Sequence, residues 1–241
     1  MKPDRRKFFH AVLAALALGP LGRRAARAAP ERAKKARIGI VGSGNVGGTL
    51  GAVWVAAGHE VMFSSRDLAH DRALAAKLGK GARAGTPREA AAFGEVLMIS
   101  VPYGALPAVG KELGGLLQRK IVIDTCNPFA SRDGEIADWA RKKGAGLASA
   151  ELLPGARLVR AFNAIGAYPM GEAHREPGRV GMPIASDDAA AVAVVTPLIR
   201  EIGYEPVLIG GLAKGRYLMP GTPLAGEHTA EELKVIANGL D

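Results

Sequence analysis

The chain has 241 residues, 48% of them apolar and 5% aromatic, with 32 Lys and Arg against 23 Asp and Glu for a net charge of +9. That length holds one α/β domain with a small addition or two small domains, and the single cysteine, Cys126, excludes an intrachain disulfide and a cysteine-based metal site. Seven of the bases and one acid fall within residues 1–28, leaving 25 bases against 22 acids, so the remainder lacks the basic surface that nucleic-acid binding needs.

From the N-terminus, Asp4-Arg5-Arg6-Lys7-Phe8-Phe9 precedes the apolar run Ala11–Leu18, then Gly19-Pro20, and Ala26-Arg27-Ala28 supplies the small residues a signal peptidase reads. A basic segment, a short apolar segment and an A-x-A site predict a secretory signal over residues 1–28, cleaved after Ala28. The apolar run is about half the ~20 residues of a membrane span, so no stable span is expected after cleavage. The arginine pair followed by phenylalanine resembles a twin-arginine signal, with Asp4 where Ser or Thr is usual and His10 where Lys is usual. That resemblance implies the twin-arginine export machinery as a partner, export in the folded state, and a periplasmic or secreted destination. Residues 29–36 read as a linker.

Beyond it, short apolar runs alternate with helical patterns. Strands are predicted at Ile38–Val41, His59–Phe63, Glu95–Val101 (closed by Pro102), Ile121–Asp124 and Arg157–Ala161, then Val180–Ile184 and Pro206–Ile209. Helices are predicted at Val46–Ala57, Leu68–Leu78 with Gly79 as its stop, Leu106–Leu117, Ala189–Glu201 and Ala230–Ala237. Alternation of this kind implies a Rossmann-type, doubly wound α/β fold with a mostly parallel sheet, buried on both faces, over residues 37–210. Residues 211–241 form a small C-terminal extension.

The turn Gly42-Ser43-Gly44-Asn45-Val46-Gly47 follows the first strand and opens the first helix, the context a dinucleotide cradle requires. Gly42 permits the tight turn, Gly44 lets a pyrophosphate approach the backbone, and Gly47 lets helix pack on strand. The helix start then offers N–H groups and a positive dipole end to phosphates. The second strand ends in Ser64-Ser65-Arg66-Asp67. An NAD site places an acid there for the ribose hydroxyls; Ser65 and Arg66 instead supply a hydroxyl donor and a guanidinium fork suited to the 2′-phosphate of NADPH. Asp67 is read as a helix N-cap facing outward.

The cradle, Ser65-Arg66, Val101-Pro102-Tyr103, Asn127-Pro128 and Ala161-Phe162-Asn163 occur in an order that resembles the coenzyme F420-dependent NADP oxidoreductase family, whose Rossmann domain is similar to the cytosolic domain of the STEAP metalloreductases. The resemblance covers roughly residues 37–210. It implies pyrophosphate contacts from Ser43, Gly44, Asn45 and Val46, and 2′-phosphate contacts from Ser65 and Arg66. Pro102 and Tyr103 would flank the nicotinamide-side ribose. Asn127 and Asn163, at the same sheet edge, offer donor and acceptor to a carboxamide or a flavin-like ring. It further implies NADP as cofactor, F420 or flavin as co-substrate, a small-molecule redox acceptor, and a homodimer.

Cys126 reads as a buried small hydrophobe, His59 as structural, and Arg141, Lys142 and Lys143 as a solvated helix end. His174 and His228 have no partner motif, and Lys214 and Arg216 read as a surface loop. No acid–base constellation is evident, so the chemistry expected is hydride transfer between NADPH and a deazaflavin, flavin or other acceptor. The alternatives are a STEAP-like flavin or ferric reductase, and a non-catalytic exported NADP-binding sensor.

Overall fold

A computed structural model describes residues 35–240. The expected signal, and all but the end of the expected linker, lie outside the described residues. Eight strands make one sheet: β1 (Arg37–Val41), β2 (Glu60–Ser64), β3 (Ala82–Ala84), β4 (Val96–Ile99), β5 (Ile121–Asp124), β6 (Arg157–Arg160), β7 (Val180–Ala185) and β8 (Tyr204–Gly210). Their order is β3-β2-β1-β4-β5-β6-β7-β8. The first six are parallel, with Ile38 opposite Val61 on one side and Val96 on the other. β7 meets β6 antiparallel through Arg160 and Ala185, and β8 runs parallel to β7. The order of the first six is that of the Rossmann fold, and it reverses between β1 and β4, where a crevice opens beyond the strands' carboxyl ends.

Among the described residues ten α-helices accompany the strands, the last of them following β8: α1 (Asn45–Ala56), α2 (Leu68–Leu78), α3 (Pro87–Phe93), α4 (Leu106–Leu113), α5 (Ala130–Asp133), α6 (Glu135–Lys143), α7 (Ala145–Leu152), α8 (Ala167–Met170), α9 (Ala189–Ile202) and α10 (Ala230–Asn238). Side chains along a strand point to alternate faces, and β4 shows why every one of its residues is apolar. Val96 and Met98 pack with Leu50, Trp54 and Ile199 of α1 and α9, while Leu97 and Ile99 pack with Leu106, Leu113 and Ala148 of α4 and α7. Residues 211–240 lay Leu218, Leu224 and Leu233 against Ala185 and Val207 of β7 and β8.

The seven strands and five helices expected from periodicity are all present, with shifts at their ends. The helix expected over Leu106–Leu117 ends at Leu113, because Gly114 has φ +46° and the chain continues as a 3₁₀ turn through Leu117. Three features escaped the pattern. β3 is three residues long and only partly buried. α3 opens on a capping box in which Thr86 and Glu89 satisfy each other's backbone N–H, with Pro87 at the first helical position. The stretch 130–152 folds into α5, α6 and α7, separated by Gly134 and Gly144 at φ +60° and +97°. Among the described residues no helix is long and apolar enough to cross a membrane.

Candidate dinucleotide site

At the β1–α1 turn, Gly42 has φ +100°, and a Cβ there would lie 2.1 Å from the Ser100 carbonyl oxygen. A Cβ on Gly47 would lie 2.0 Å from the Gly42 carbonyl oxygen, so the tight turn demands glycine at 42 and helix-on-strand packing demands it at 47. Gly44 differs: it has φ −71°, and a Cβ would meet nothing within 4 Å. The fold places no demand for glycine there; only something lying over the turn would. Gly42 and Ser43 both donate their N–H to the Ser64 carbonyl, at 2.8 and 3.2 Å. The first free N–H groups are therefore those of Gly44, Asn45 and Val46. Gly44 is the N-cap of α1 and no side chain caps the helix, so these donors and the positive end of the helix dipole face the crevice.

Two cavities open onto this turn. One, of about 740 Å³, is lined by Gly42, Gly44, Ser65, Arg66, Pro87, Val101, Pro102 and Arg132. The other, of about 360 Å³, is lined by Gly44, Asn45, Val46, Val101, Pro102, Asn127, Phe129, Arg132, Phe162 and Asn163. They share Gly44, Ser100, Val101, Pro102 and Arg132 as walls and form one trough. A separate hollow of about 600 Å³ beside Tyr168 and Tyr204 lies apart from the cradle; its Arg175 and Arg179 are ion-paired with Glu172, Glu176 and Glu227.

Beneath the smaller cavity lies a buried polar network. Asp124, ending β5, and Arg160, ending β6, form an ion pair with both side chains 0% exposed. Arg160 also donates to the Cys126 carbonyl at 3.0 Å and to Asn127 Oδ1 at 3.3 Å. That fixes the Asn127 amide: its Oδ1 faces the guanidinium and its Nδ2 donates to the Asn163 carbonyl at 2.7 Å. Asn163 donates Nδ2 to the Cys126 carbonyl at 3.4 Å, while its Oδ1 is buried without a hydrogen-bond partner. Phe162 brings Asn163 to the cavity wall through a left-handed backbone, φ +65°, a conformation a bulky residue adopts at a cost of about 1–3 kcal/mol. Its ring is held edge-on between Trp54 and Tyr204.

Several expected site residues sit elsewhere than the sequence suggested. Tyr103 is fully buried, and its hydroxyl hydrogen-bonds the Ala145 carbonyl and Ser149 Oγ, each at 3.2 Å. It belongs to the core cluster beside α4 and α7 and lines neither cavity, because Tyr103–Ala105 forms a 3₁₀ turn that directs the ring into the core. Burial pushes its phenol well above the usual range. Pro128 is buried, with its carbonyl accepting from Arg141. Ser43 is buried and gives its hydroxyl to Asp71 rather than to the trough.

Gly44, Asn45, Val46, Ser65, Arg66, Val101, Pro102, Asn127 and Asn163 do come together along the trough. Asp67 caps α2 through the His70 N–H at 2.9 Å, as expected of it. Sequence reasoning did not single out Asp71, the Asp124–Arg160 pair, or Arg132. Arg132 stacks on Phe129 at 5.1 Å and donates to the Asn127 carbonyl at 2.8 Å. Asp124 and Arg160 pair across 36 residues and Asp71 meets Ser43 across 28, while Arg132 acts on neighbours in an irregular turn that carries no recognisable spacing.

Cys126 is 2% exposed. Burial, followed by the neighbouring Asp124 charge, pushes its thiol well above the usual range, so the unreactive thiol persists through neutral pH. A disulfide reagent at pH 8 is expected to modify less than about a tenth of the thiol in the native chain and all of it after denaturation. Rapid native modification would contradict that burial. His59 is buried too: Nδ1 accepts from the Ala36 N–H at 3.0 Å, and Nε2 meets Glu201 of α9, a structural tie.

The strand order and the glycine turn define a Rossmann-type α/β protein. Residues 37–128 match the family model described as NADP oxidoreductase, coenzyme F420-dependent. The chain is 30% identical over 190 residues to metalloreductase STEAP3 of Rattus norvegicus, spanning 78% of this chain and 36% of that protein. It is 29% identical over 198 residues to the F420-dependent NADP reductase of Methanothermobacter thermautotrophicus, spanning 77% and 85% respectively. A hypothetical protein of Sinorhizobium meliloti shares the fold, with TM-score 0.66 and 23% identity over 81% of this chain and 96% of that one.

Proposed function

We propose that the chain is an NADP-dependent oxidoreductase, favouring NADPH over NADH, that passes a hydride between the nicotinamide and a flat two-electron carrier of the deazaflavin or flavin type. The observation that carries this reading is the trough with its three stations. An uncapped helix start lies at the middle, the exposed Arg66 at one end, and the orphaned Asn163 Oδ1 at the other. These match a pyrophosphate, a 2′-phosphate and a carboxamide. The open space over Gly44, which a Cβ would fill, and the unpartnered Asn163 oxygen are the two features that a dinucleotide would account for.

Bound NADPH supplies the hydride donor. Backbone N–H groups of Gly44, Asn45 and Val46 hold the pyrophosphate. The Arg66 fork takes the 2′-phosphate, and Asn163 Oδ1 accepts from the carboxamide and so chooses which ring face meets the acceptor. Among the described residues, the lining of the smaller cavity has amides, the Ser100 and Thr125 hydroxyls and Arg132, but no Asp, Glu, His or Lys. Its contribution is orientation and exclusion of water, not proton transfer. The names of the two curated relatives support the same chemistry, and the rat protein's name also supports a flavin or ferric reductase.

Titrating NADPH and NADH, then adding F420 or FMN, tests the reading. Rapid NADPH oxidation on adding either acceptor is expected; tight binding without oxidation would leave the sensor module as the better account. Replacing Arg66 with Asp puts an anion against the 2′-phosphate, and the NADPH-to-NADH affinity ratio is expected to fall at least about 50-fold and invert, of the order of 2 kcal/mol. An unchanged ratio would remove Arg66 from the phosphate site.

Residues 1–28 support placing this activity outside the cytoplasm, with the chain exported folded. Lysine at both Arg5 and Arg6 is expected to retain the protein in the cytoplasmic fraction, and an unaltered distribution would count against the twin-arginine route.

A further inference from the structure

We propose that Asp71 determines how strongly the site prefers NADPH, by claiming the Ser65 hydroxyl proton and leaving donation to the 2′-phosphate to Arg66. This rests on the dinucleotide reading above and concerns the same site. Asp71, in the first turn of α2, is fully buried and forms no ion pair among the described residues. Its carboxylate accepts from Ser43 Oγ and from Ser65 Oγ, at 3.1 Å to Oδ1 and 2.9 Å to Oδ2. A carboxylate only accepts, so both serines must donate inward.

A hydroxyl has one proton. The other acceptor near Ser65 is the Asp67 carbonyl at 3.2 Å, which also lies away from the trough. One Ser65 lone pair is occupied by the Asp67 N–H at 3.1 Å. What Ser65 presents to the trough is its remaining lone pair, suited to a ribose hydroxyl that donates and unsuited to a phosphate oxygen. Ser65, one residue past β2, therefore does the work of the acid in an NAD site, with Asp71 behind it, while Arg66, one residue on, serves the phosphate. Two opposing readers at one ribose predict a moderate preference for NADPH, with NADH still bound.

Asp71→Asn tests this, because an amide nitrogen donates to a serine oxygen and frees the Ser65 proton to turn outward. The probes are adenosine 2′,5′-bisphosphate and 5′-AMP, titrated calorimetrically into the full chain, with a thermal melt of each variant as a check of folding. Asp71→Asn is expected to tighten the bisphosphate about 5- to 10-fold and leave 5′-AMP within twofold. Ser65→Ala in the unaltered background is expected to weaken 5′-AMP, whose 2′-hydroxyl it accepts from, at least as much as the bisphosphate, so that the bisphosphate-to-5′-AMP affinity ratio holds or rises. In the Asp71→Asn background it should abolish the gain.

Equal loss of both probes in Asp71→Asn would make Asp71 merely structural and overturn the proposal. So would a tenfold fall in the ratio on Ser65→Ala alone, a result that needs no Asp71 variant to fold. A parent chain that binds neither probe would overturn the dinucleotide reading itself, and is told apart from the others by appearing before any substitution.

Discussion

Replacing Gly44 with valine is expected to abolish dinucleotide binding while leaving the protein folded. Its φ of −71° suits any residue, and no atom lies within 4 Å of where the Cβ would go. The position is an N-cap, where losing glycine costs at most about 1 kcal/mol, so the melting temperature should move by no more than roughly 4 °C for a domain of this size. The new side chain stands where a pyrophosphate would approach the N–H groups of Asn45 and Val46. Affinity for NADPH should fall at least 100-fold, about 2.7 kcal/mol. Gly47→Val makes the contrast, because its Cβ would collide with the Gly42 carbonyl at 2.0 Å and α1 could not dock on β1. The first variant should melt normally and fail to bind; the second should fail to fold. A folded Gly44→Val chain that still binds NADPH within fivefold of the parent would dismiss the cradle.

The second large effect is expected at Arg160. Its guanidinium and the Asp124 carboxylate are both fully buried, and removing one partner leaves an uncompensated charge that costs about 3–5 kcal/mol. Arg160→Met should therefore lower the melting temperature by the order of 10 °C. Pairing it with Asp124→Leu removes both charges, and much of that loss should return. Binding separates the two roles of the pair. Arg160 fixes the Asn127 amide, which in turn holds the Asn163 carbonyl, so the double variant should be stable yet bind NADPH more weakly than the parent. Affinity for 5′-AMP, which does not reach Asn163, should be retained. Full recovery of NADPH affinity in the double variant would show that the pair serves stability alone.

Much of this architecture was legible from periodicity because buried parallel strands and amphipathic helices leave a regular apolar trace. β1, β4 and β5 are nearly unbroken apolar runs, and α2 was bounded correctly by its Asp67 cap and Gly79 stop. What was lost has physical causes. β3 is too short and too exposed to carry a pattern. The helices between 130 and 152 are short turns divided by glycines, so no single 3.6-residue stripe runs through them. Within the site, the glycines announced themselves because backbone geometry demands them at fixed spacing. Tyr103 misled because adjacency to Pro102 says nothing of side-chain direction, and a 3₁₀ turn sent the ring inward. Arg160 stayed hidden because its partner Asp124 lies 36 residues away, and Asp71 because it joins Ser65 to Ser43, 28 residues back.

The strand order also governs time. β1 lies inside the sheet, third of the eight strands, and its second neighbour is β4, with Ile38 paired to Val96. No local hairpin can precede that pairing, and sheets assembled from such distant segments form slowly. Until β4 arrives, β1 exposes one unpaired edge and an apolar face, a state prone to sticking. For a chain that leaves the cytoplasm only once folded, as proposed from residues 1–28, the delay before departure is set by closure of this central seam. Substitutions that slow β1–β4 pairing would then lower the exported yield even where the finished protein is fully stable.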